Sequence, residues 1–300
     1  MNKNKAGKEN AVNENKSQKE NSTDNKKYIE EIFKKHKSGK KKIDLVFPIL
    51  HGPYGEDGKL QGALDILNVP YVFSGVLEHA LAMNKPKTKI IVKNLGIPVS
   101  KDLVLSFGEK YNSKEIIKQI GLPLIIKPSE LGSSVGISKI SEKKYFKKAL
   151  SKAFETSSEI MVEKFIKGRE LTVAVMGNNP AKALPVVEII PKISEWFDYK
   201  AKYEANGSEE VCSADIPKHI EKLIQEYAIK IYKDIGCYDM ARCDFIWSSR
   251  NKKIYFLEIN TIPGMTPTSL APLAAFKKGL SFSRFLDEII KNAIKRNSLF

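Results

Sequence analysis

The sequence has 300 residues, of which 42% are hydrophobic and 28% charged, the usual balance of a soluble globular protein. It contains no run of about 18 uncharged apolar residues, which argues against a membrane-spanning helix, and no N-terminal apolar stretch typical of a secretory signal. The three cysteines are an odd number without a C-x-x-C pair. This usage argues against a disulfide framework or a zinc site, and we expect a cytoplasmic protein.

The net charge of +15 raises the question of nucleic-acid binding. Residues 1–42 carry 13 lysines and 6 acidic residues, and most basic residues of the whole chain are lysine. Charge runs of this kind usually coat solvated faces. We interpret the excess as compositional bias first and as an attraction for polyphosphate substrates second, and we expect no nucleic-acid partner.

Residues 1–27 are predicted to be disordered, because they contain almost nothing apolar to offset the entropy of ordering them. A short amphipathic helix is possible at Tyr28–His36, and folded sequence begins near Ile43. The pattern then predicts strands at Asp44–Leu50, Tyr71–Ser74, Leu124–Pro128, Ile160–Ile166, Glu170–Met176, Ala183–Ile190, Ala241–Trp247 and Lys253–Asn260. It predicts helices at Leu60–Leu67, Glu78–Asn94, Ser113–Ile120, Glu142–Thr156, Lys218–Ile235, Ser269–Lys278 and Phe282–Lys295.

The polar, aromatic-rich segment Ser194–Ser213 has no clear period, and a loop of that length in a compact enzyme is usually a lid or is disordered. The mixture of elements indicates an α+β or α/β fold in several subdomains.

The segment Arg242–Asn260 is predicted to be a β-hairpin with its turn centred on Asn251. Asp244 then lies opposite Glu258, and Arg242 opposite Asn260, all on one face. Cys243, Phe245, Leu257 and Ile259 would pack on the other face. Two carboxylates and an amide oxygen suit Mg²⁺, which commonly binds a few carboxylates plus nucleotide phosphates. The alternative, a surface ladder of charged side chains, would place two like charges directly opposite each other.

Three further segments carry possible ligand-binding groups. Lys127–Gly136 follows an apolar strand with glycines and hydroxyls whose backbone N–H groups could approach phosphate, although Gly-Ser turns are commonplace. Glu163–Glu170 could hold an adenine edge and a ribose, or could be an ordinary interdomain hinge. His51–Gly58 lies at the end of a predicted buried strand, where open sheets bind ligands, although a lone histidine is more often structural.

Together these segments resemble the D-alanine–D-alanine ligases of the ATP-grasp superfamily. The resemblance rests on H-G-P-Y-G-E-D-G-K-L-Q-G, I-I-K-P-S-E-L-G-S-S-V-G-I-S-K, V-E-K-F-I-K-G-R-E-L-T-V-A-V, F-D-Y-K-A-K-Y, M-A-R-C-D-F and L-E-I-N-T-I-P-G-M-T-P-T-S-L, in family order from about Ile43 onward. It implies an ATP-grasp fold with a reduced N-terminal substrate domain at 43–82, a central lid domain at 83–162 and a C-terminal catalytic domain at 163–300, preceded by a tail at 1–42.

The resemblance also implies roles for individual residues. Asp244, Glu258 and Asn260 resemble ligands of Mg²⁺ (or Mn²⁺), with two ions expected. The groups that resemble ATP contacts are Lys85, Lys127, Glu163, Lys164, Ile166, Glu170 and Lys202. Arg242 and the N–H of Gly264 resemble the oxyanion-stabilising groups, and Ser133 and Tyr203 resemble members of a triad that closes the lid. His51, Ser269 and Leu270 resemble contacts to the two D-alanine substrates.

The family pattern opens with a strand, a Gly-rich turn carrying a serine and a catalytic glutamate, and a helix. We find no Gly-Gly-x-Ser-x-Glu here, and residues 1–27 lack the apolar run that such a strand needs. We therefore expect an N-terminal domain without those elements, with either a truncated, impaired enzyme or a partner that supplies the missing part.

The leading hypothesis is ATP- and Mg²⁺-dependent ligation of two D-alanines through an acyl phosphate, for peptidoglycan precursor synthesis. The alternatives are another ATP-grasp carboxylate–amine ligase, a non-catalytic nucleotide-binding remnant, and an RNA-associated protein that uses its lysine-rich tail. The resemblance suggests a homodimer.

Overall fold

A computed structural model of the protein describes residues 23–31, 34, 43–131, 136–193 and 207–297. Within these ranges the strands form two antiparallel sheets, with helices packed on their faces, so the fold is α+β. The described helices include none that is long and apolar enough to cross a membrane.

The helices are α1 (residues 23–31), α2 (Lys59–Ile66), α3 (Val76–Met83), α4 (Lys85–Asn94), α5 (Ser113–Ile120), α6 (Phe146–Phe154), α7 (Lys218–Ile235), α8 (Leu270–Lys277) and α9 (Phe282–Asn297), with a 3₁₀ turn at Lys143–Tyr145. The strands are β1 (Asp102–Ser106), β2 (Leu124–Pro128), β3 (Ser138–Ile140), β4 (Glu159–Lys164), β5 (Gly168–Met176), β6 (Lys182–Ala183), β7 (Val187–Pro191), β8 (Ser208–Cys212), β9 (Met240–Ser248) and β10 (Ile254–Asn260).

The larger sheet, in the order β10-β9-β5-β7-β8 with β6 beside β5, is covered on one face by α7 and α4. Helix α7 is amphipathic: its buried positions Ile220, Ile224, Ala228, Ile231 and Ile235 recur every three or four residues. It ends where Gly236 takes the left-handed conformation that a glycine adopts without a Cβ clash. Helices α8 and α9 cover the other face.

The smaller sheet, in the order β1-β4-β2-β3, packs against α5 and α6 through one hydrophobic cluster. Helix α5 coincides with its predicted bounds, because its isoleucines lie on one face and the Asn112 side chain caps the backbone N–H of Lys114. The predicted domain boundaries at 82 and 162 remain predictions.

Helix α1 corrects the prediction of disorder for residues 23–27, whereas residues 1–22 lie outside the described residues. Residues 23–27 belong to the helix, and the buried Asn25 side chain donates to the backbone carbonyls of His51 (3.1 Å) and Pro53 (2.9 Å). Composition alone did not reveal these two hydrogen bonds, which attach the helix to the loop after residue 50.

Several predicted elements differ in extent from the structure. The predicted helix Glu78–Asn94 is two helices, because Asn84 leaves the helical conformation, caps α4 and is followed two residues later by Pro86. The two N-terminal strands reduce to one parallel bridge between Val46 and Tyr71. Pro185 separates β6 from β7 within one predicted strand.

The predicted loop Ser194–Ser213 contains strand β8, which pairs with β7 at the edge of the larger sheet. Residues 194–206 lie outside the described residues. Strands β1 and β3 were not predicted, since they are short and only partly apolar.

Candidate active site

The hairpin of β9 and β10 has the predicted register where it matters for the site. Asp244 pairs with Glu258 and Arg242 with Asn260. A β-bulge between Phe256 and Glu258 shifts the register toward the turn, so the prediction for Leu257 is wrong: Phe256 takes the core position, and Leu257 faces a cavity.

The carboxylate of Asp244 is buried, and both of its oxygens accept hydrogen bonds. Arg242 donates to both of its oxygens, from Nε to Oδ1 (2.9 Å) and from Nη2 to Oδ2 (2.7 Å), and Thr172 on β5 contacts Oδ1. Burial opposes the charge of Arg242, but the Asp244 carboxylate outweighs it and raises the pKa of the guanidinium. The two hydrogen bonds between these side chains fix the orientation of both groups.

A cavity of about 330 Å³ lies between the two sheets. Nine of the residues predicted for the site line it: Lys85, Lys127, Glu163, Lys164, Ile166, Glu170, Arg242, Asp244 and Glu258. Apolar side chains complete the walls, including Ile125 of the smaller sheet, Ile137 just before β3, and Ile246 and Leu257 of the larger sheet. A slot with apolar walls and a few polar groups is the usual form of a small-molecule site.

Lys85 begins α4 and reaches both sheets. Its Nζ donates to the Leu131 carbonyl (2.8 Å) in the smaller sheet's β2–β3 connection and lies 3.6 Å from Glu258 Oε2 in the larger sheet. Beside it, Asn84 Nδ2 donates to Glu130 Oε1 (2.6 Å). Burial lowers the pKa of Lys85. An anion in the cavity would favour the charged form of this lysine.

Glu163, at the end of β4, is buried between two lysines. Lys127 Nζ lies 2.6 Å from its Oε1, and Lys89 Nζ lies 2.9 Å from its Oε2. Burial disfavours the ionised carboxyl, yet these two ammonium groups hold the pKa of Glu163 well below its usual range. The sequence prediction missed Lys89, although Lys85 and Lys89 are four residues apart and share a helix face.

Lys164, Ile166 and Glu170 lie along the connection from β4 to β5 and line the cavity. The Lys164 side chain donates to the Leu122 carbonyl (2.7 Å). Its ammonium is therefore directed at the smaller sheet, and the contact expected from the resemblance is to its backbone. Glu170 faces the cavity because it alternates with the core residue Leu171.

Of the remaining predicted residues, those that the structure describes do not line this cavity. The Asn260 amide oxygen accepts from the Ile262 N–H (3.0 Å). Gly264 lies beside Ser269, whose Oγ a Cβ at position 264 would approach to 2.9 Å, and Leu270 begins α8. His51 lies 3.8 Å from Glu56. Ser133, Lys202 and Tyr203 lie outside the described residues.

The hairpin offers oxygen ligands of the kind that divalent cations prefer. Among the described residues, no three His, Cys, Asp or Glu side chains gather into a metal-binding group. Asp244 and Glu258 are nevertheless adjacent across the hairpin, and Glu258 keeps 38% of its side chain exposed. Two carboxylates with the Asn260 amide oxygen fit Mg²⁺, which completes its shell with phosphates and water.

Two antiparallel sheets around a cavity lined by lysines and carboxylates define an ATP-grasp fold, which solved ligase structures share. The D-Ala:D-Ser ligase VanG from Enterococcus faecalis has a TM-score of 0.77 and 40% identity, covering 84% of this chain and 74% of its own. The D-alanine–D-alanine ligase from Bacillus anthracis complexed with ATP has a TM-score of 0.72 and 30% identity, over 86% and 81%.

The family model described as D-ala D-ala ligase C-terminus matches residues 91–291, and that of the N-terminus matches residues 1–74. A D-alanine–D-alanine ligase from Desulfotalea psychrophila is 43% identical over 257 residues, which is 85% of this chain and 80% of the relative. The chain belongs to the D-alanine–D-alanine ligase family, as the motifs indicated.

Proposed function

We propose that this protein joins two D-alanines to D-alanyl-D-alanine with consumption of ATP, for peptidoglycan precursor synthesis in the cytoplasm. The observation that carries the proposal is the convergence of Arg242, Asp244 and Glu258 with Lys85 and Lys127 on one cavity, in a chain of this family. The cavity lies between two sheets, so a nucleotide bound there would contact both.

The reaction needs activation of a carboxylate, because an amine does not displace a carboxylate oxygen. Transfer of the γ-phosphoryl group to the first D-alanine creates an acyl phosphate; the amine of the second attacks its carbonyl carbon, and phosphate leaves with the bonding electrons. Lys85 and Lys127 would hold nucleotide phosphates, as would Lys202. Arg242 and the Gly264 N–H would stabilise the oxyanion of the tetrahedral intermediate.

The other site residues would bind and orient the substrates. Glu163, Glu170 and the backbone at Lys164 and Ile166 would contact adenosine. His51 would lie near the first D-alanine, and the second would meet Ser269 and Leu270. Ser133 and Tyr203 would close the site against water, which would otherwise hydrolyse the acyl phosphate.

Mg²⁺ or Mn²⁺, bound through Asp244, Glu258 and Asn260, would offset charge on the nucleotide phosphates. Two ions are proposed, as the family resemblance implies. A homodimer is the proposed assembly.

The test is ADP release by the purified full chain with Mg²⁺ and ATP, with and without D-alanine, together with chromatography of the products. We expect ADP release that depends on D-alanine and a matching amount of dipeptide, and none with L-alanine. ATP hydrolysis without formation of the dipeptide, or ADP release that does not depend on D-alanine, would contradict the proposal.

A second candidate is D-serine as the acceptor amine, favoured by the 40% identity to the D-Ala:D-Ser ligase VanG. Equal concentrations of D-alanine and D-serine in one reaction decide between them. Predominantly D-alanyl-D-alanine supports the first proposal, whereas predominantly D-alanyl-D-serine supports the second.

A further inference from the structure

Lys89 is a buried lysine that contacts Glu163, a residue of the candidate nucleotide site, but does not itself line the cavity. It is 2% exposed, and its Nζ lies within 3.0 Å of four oxygens: Glu163 Oε2, Asp102 Oδ1, and the carbonyl and hydroxyl of Ser100. An ammonium group has three N–H donors, so these contacts use all of them. Lys89 therefore has no donor left for a ligand.

The two carboxylate oxygens of Glu163 have different partners. Oε2 is held by Lys89 (2.9 Å) and by the Ser100 hydroxyl (2.6 Å), whereas Oε1 meets Lys127 at 2.6 Å. Glu163 and Lys127 line the cavity, and Lys89 does not. Anchoring Oε2 from behind fixes the torsion of the carboxylate and leaves lone-pair capacity on Oε1 beside the cavity.

The charges in this cluster also balance. Lys89 and Lys127 are matched by Glu163 and Asp102, and partial removal of such a buried network leaves an uncompensated charge. Without Lys89, Glu163 would keep Lys127 as its one cationic contact among those described. The carboxylate could then turn as a unit with Lys127.

We propose that Lys89 is a positioning residue for purine recognition, which fixes Glu163 so that Oε1 accepts the 6-amino group of an adenine in the cavity. This inference rests on the proposed use of ATP. The nucleotide class follows from the chemistry: a 6-amino group donates to the carboxylate, whereas the 6-carbonyl of hypoxanthine would be repelled by it.

The experiment measures binding of Mg²⁺-ATP and Mg²⁺-ITP by calorimetry to the full chain and to Lys89→Met, Lys89→Arg and Ser100→Ala. We expect the preference for ATP over ITP to fall about tenfold in Lys89→Met, the order seen when a charged hydrogen-bond partner is lost. Lys89→Arg should recover part of the preference. Lys87→Met, an exposed lysine on the same helix, should keep it.

A purely structural defect weakens the binding of both nucleotides equally. An unchanged ratio of the ATP and ITP affinities in folded Lys89→Met therefore overturns the inference. If Lys89→Met does not fold, Ser100→Ala provides the test. We expect it to lose less of the preference for ATP, and an unchanged ratio of the two affinities would count against the inference. Crystal structures of the variants without nucleotide separate the two proposals. If the wild type binds neither nucleotide, the proposed function fails, whereas an undisturbed Glu163 in Lys89→Met or Ser100→Ala rejects the role of Lys89.

Discussion

The forked contact of Arg242 with Asp244 requires a guanidinium. Arg242 reaches both carboxylate oxygens at once, at 2.9 and 2.7 Å, which a lysine ammonium cannot do with the same geometry. We expect Arg242→Lys to lower kcat/KM for D-alanine-dependent ADP release about 100-fold, the usual order for a misplaced transition-state donor. Steady-state kinetics on a variant shown to be folded by circular dichroism checks this.

The matched control for that change is Arg250→Lys, at the exposed tip of the same hairpin. It should retain wild-type kinetics. A fully active Arg242→Lys enzyme would remove Arg242 from the proposed chemistry.

His79 is buried and shares a hydrogen bond of 2.6 Å with Thr261. Burial lowers the pKa of His79 to about 4, against 6.5 for an unperturbed histidine. Between pH 6.5 and pH 4 the unfolded chain therefore binds a proton at His79 that the folded chain does not bind. The stability contribution of His79 is complete above pH 6.5 and is lost as the pH falls toward 4, a change of about 3 kcal/mol.

His79→Asn keeps an acceptor near Nδ1 but does not titrate. Urea unfolding from pH 7 to pH 4 should show a loss of stability that is smaller in His79→Asn than in the wild type by about that 3 kcal/mol. The matched control for the removal of a histidine is His219→Asn, an exposed change. If the free energy of unfolding varied with pH in the same way for wild type and His79→Asn, the pKa of His79 would not be lowered in the folded protein.

At the scale of elements, the sequence predicts best where the pattern is local. Helix α7 agrees with its predicted bounds because one apolar stripe and one terminal glycine define it. The pairing of Asp244 with Glu258 follows from counting back from a turn, but the bulge at Leu257 does not, since no local signal marks the extra residue. The bridge between Val46 and Tyr71 depends on tertiary contacts that a period cannot encode.

The site shows the same division. The lysines and carboxylates that line the cavity follow from motifs, each close in sequence to a recognisable turn. Lys89, Ser100 and Glu163 meet only because α4, the segment before β1 and the end of β4 converge. Spacing along the chain carries no information about that meeting, so the positioning contact had to come from the structure.

The start of β5 makes a close approach to β9 that only glycine allows. A Cβ at Gly168 would lie 2.2 Å from the Trp247 carbonyl oxygen, so the strands would have to separate. We expect Gly168→Ala to destabilise the protein by about 3 kcal/mol, within the range for backbone clashes in a packed region. It should also weaken Mg²⁺-ATP binding, because Gly168 lines the cavity.

Gly62→Ala is the matched control, because its Cβ would meet only Val76 Cγ2 at 3.6 Å inside helix α2. It should stabilise the chain by up to about 1 kcal/mol through helix propensity. Thermal unfolding of both variants gives the comparison. Equal effects of the two substitutions would contradict the steric argument.

At the scale of the whole molecule, the last helix holds the N-terminal segment against the larger sheet. Arg296 on α9 donates to the carbonyls of Tyr71 and Phe73, each at 2.6 Å, and lies 3.2 Å from the buried Asp239 carboxylate. Asp239 in turn accepts from the Phe73 N–H at 2.9 Å. One cation thus joins the segment before α3, the residue that precedes β9 and the C-terminal helix.

The buried Asp239 carboxylate makes the role of Arg296 depend on pH. Burial raises the pKa of Asp239 to about 6, with Arg296 opposing the shift. Arg296→Gln leaves the ionised Asp239 without this cation. We therefore expect the free energy of unfolding to fall by about 3–5 kcal/mol at pH 8. At pH 5 the carboxyl is largely protonated and needs no cation, so the loss should be clearly smaller.

Urea unfolding of wild type and Arg296→Gln at both pH values measures the difference. Lys291→Gln, an exposed change on the same helix, should be nearly neutral at each pH. A loss of equal size at pH 5 and pH 8 would mean that Arg296 acts through the Tyr71 and Phe73 carbonyls alone. In that case the charge of Asp239 would have no part in joining the N-terminal segment to the larger sheet.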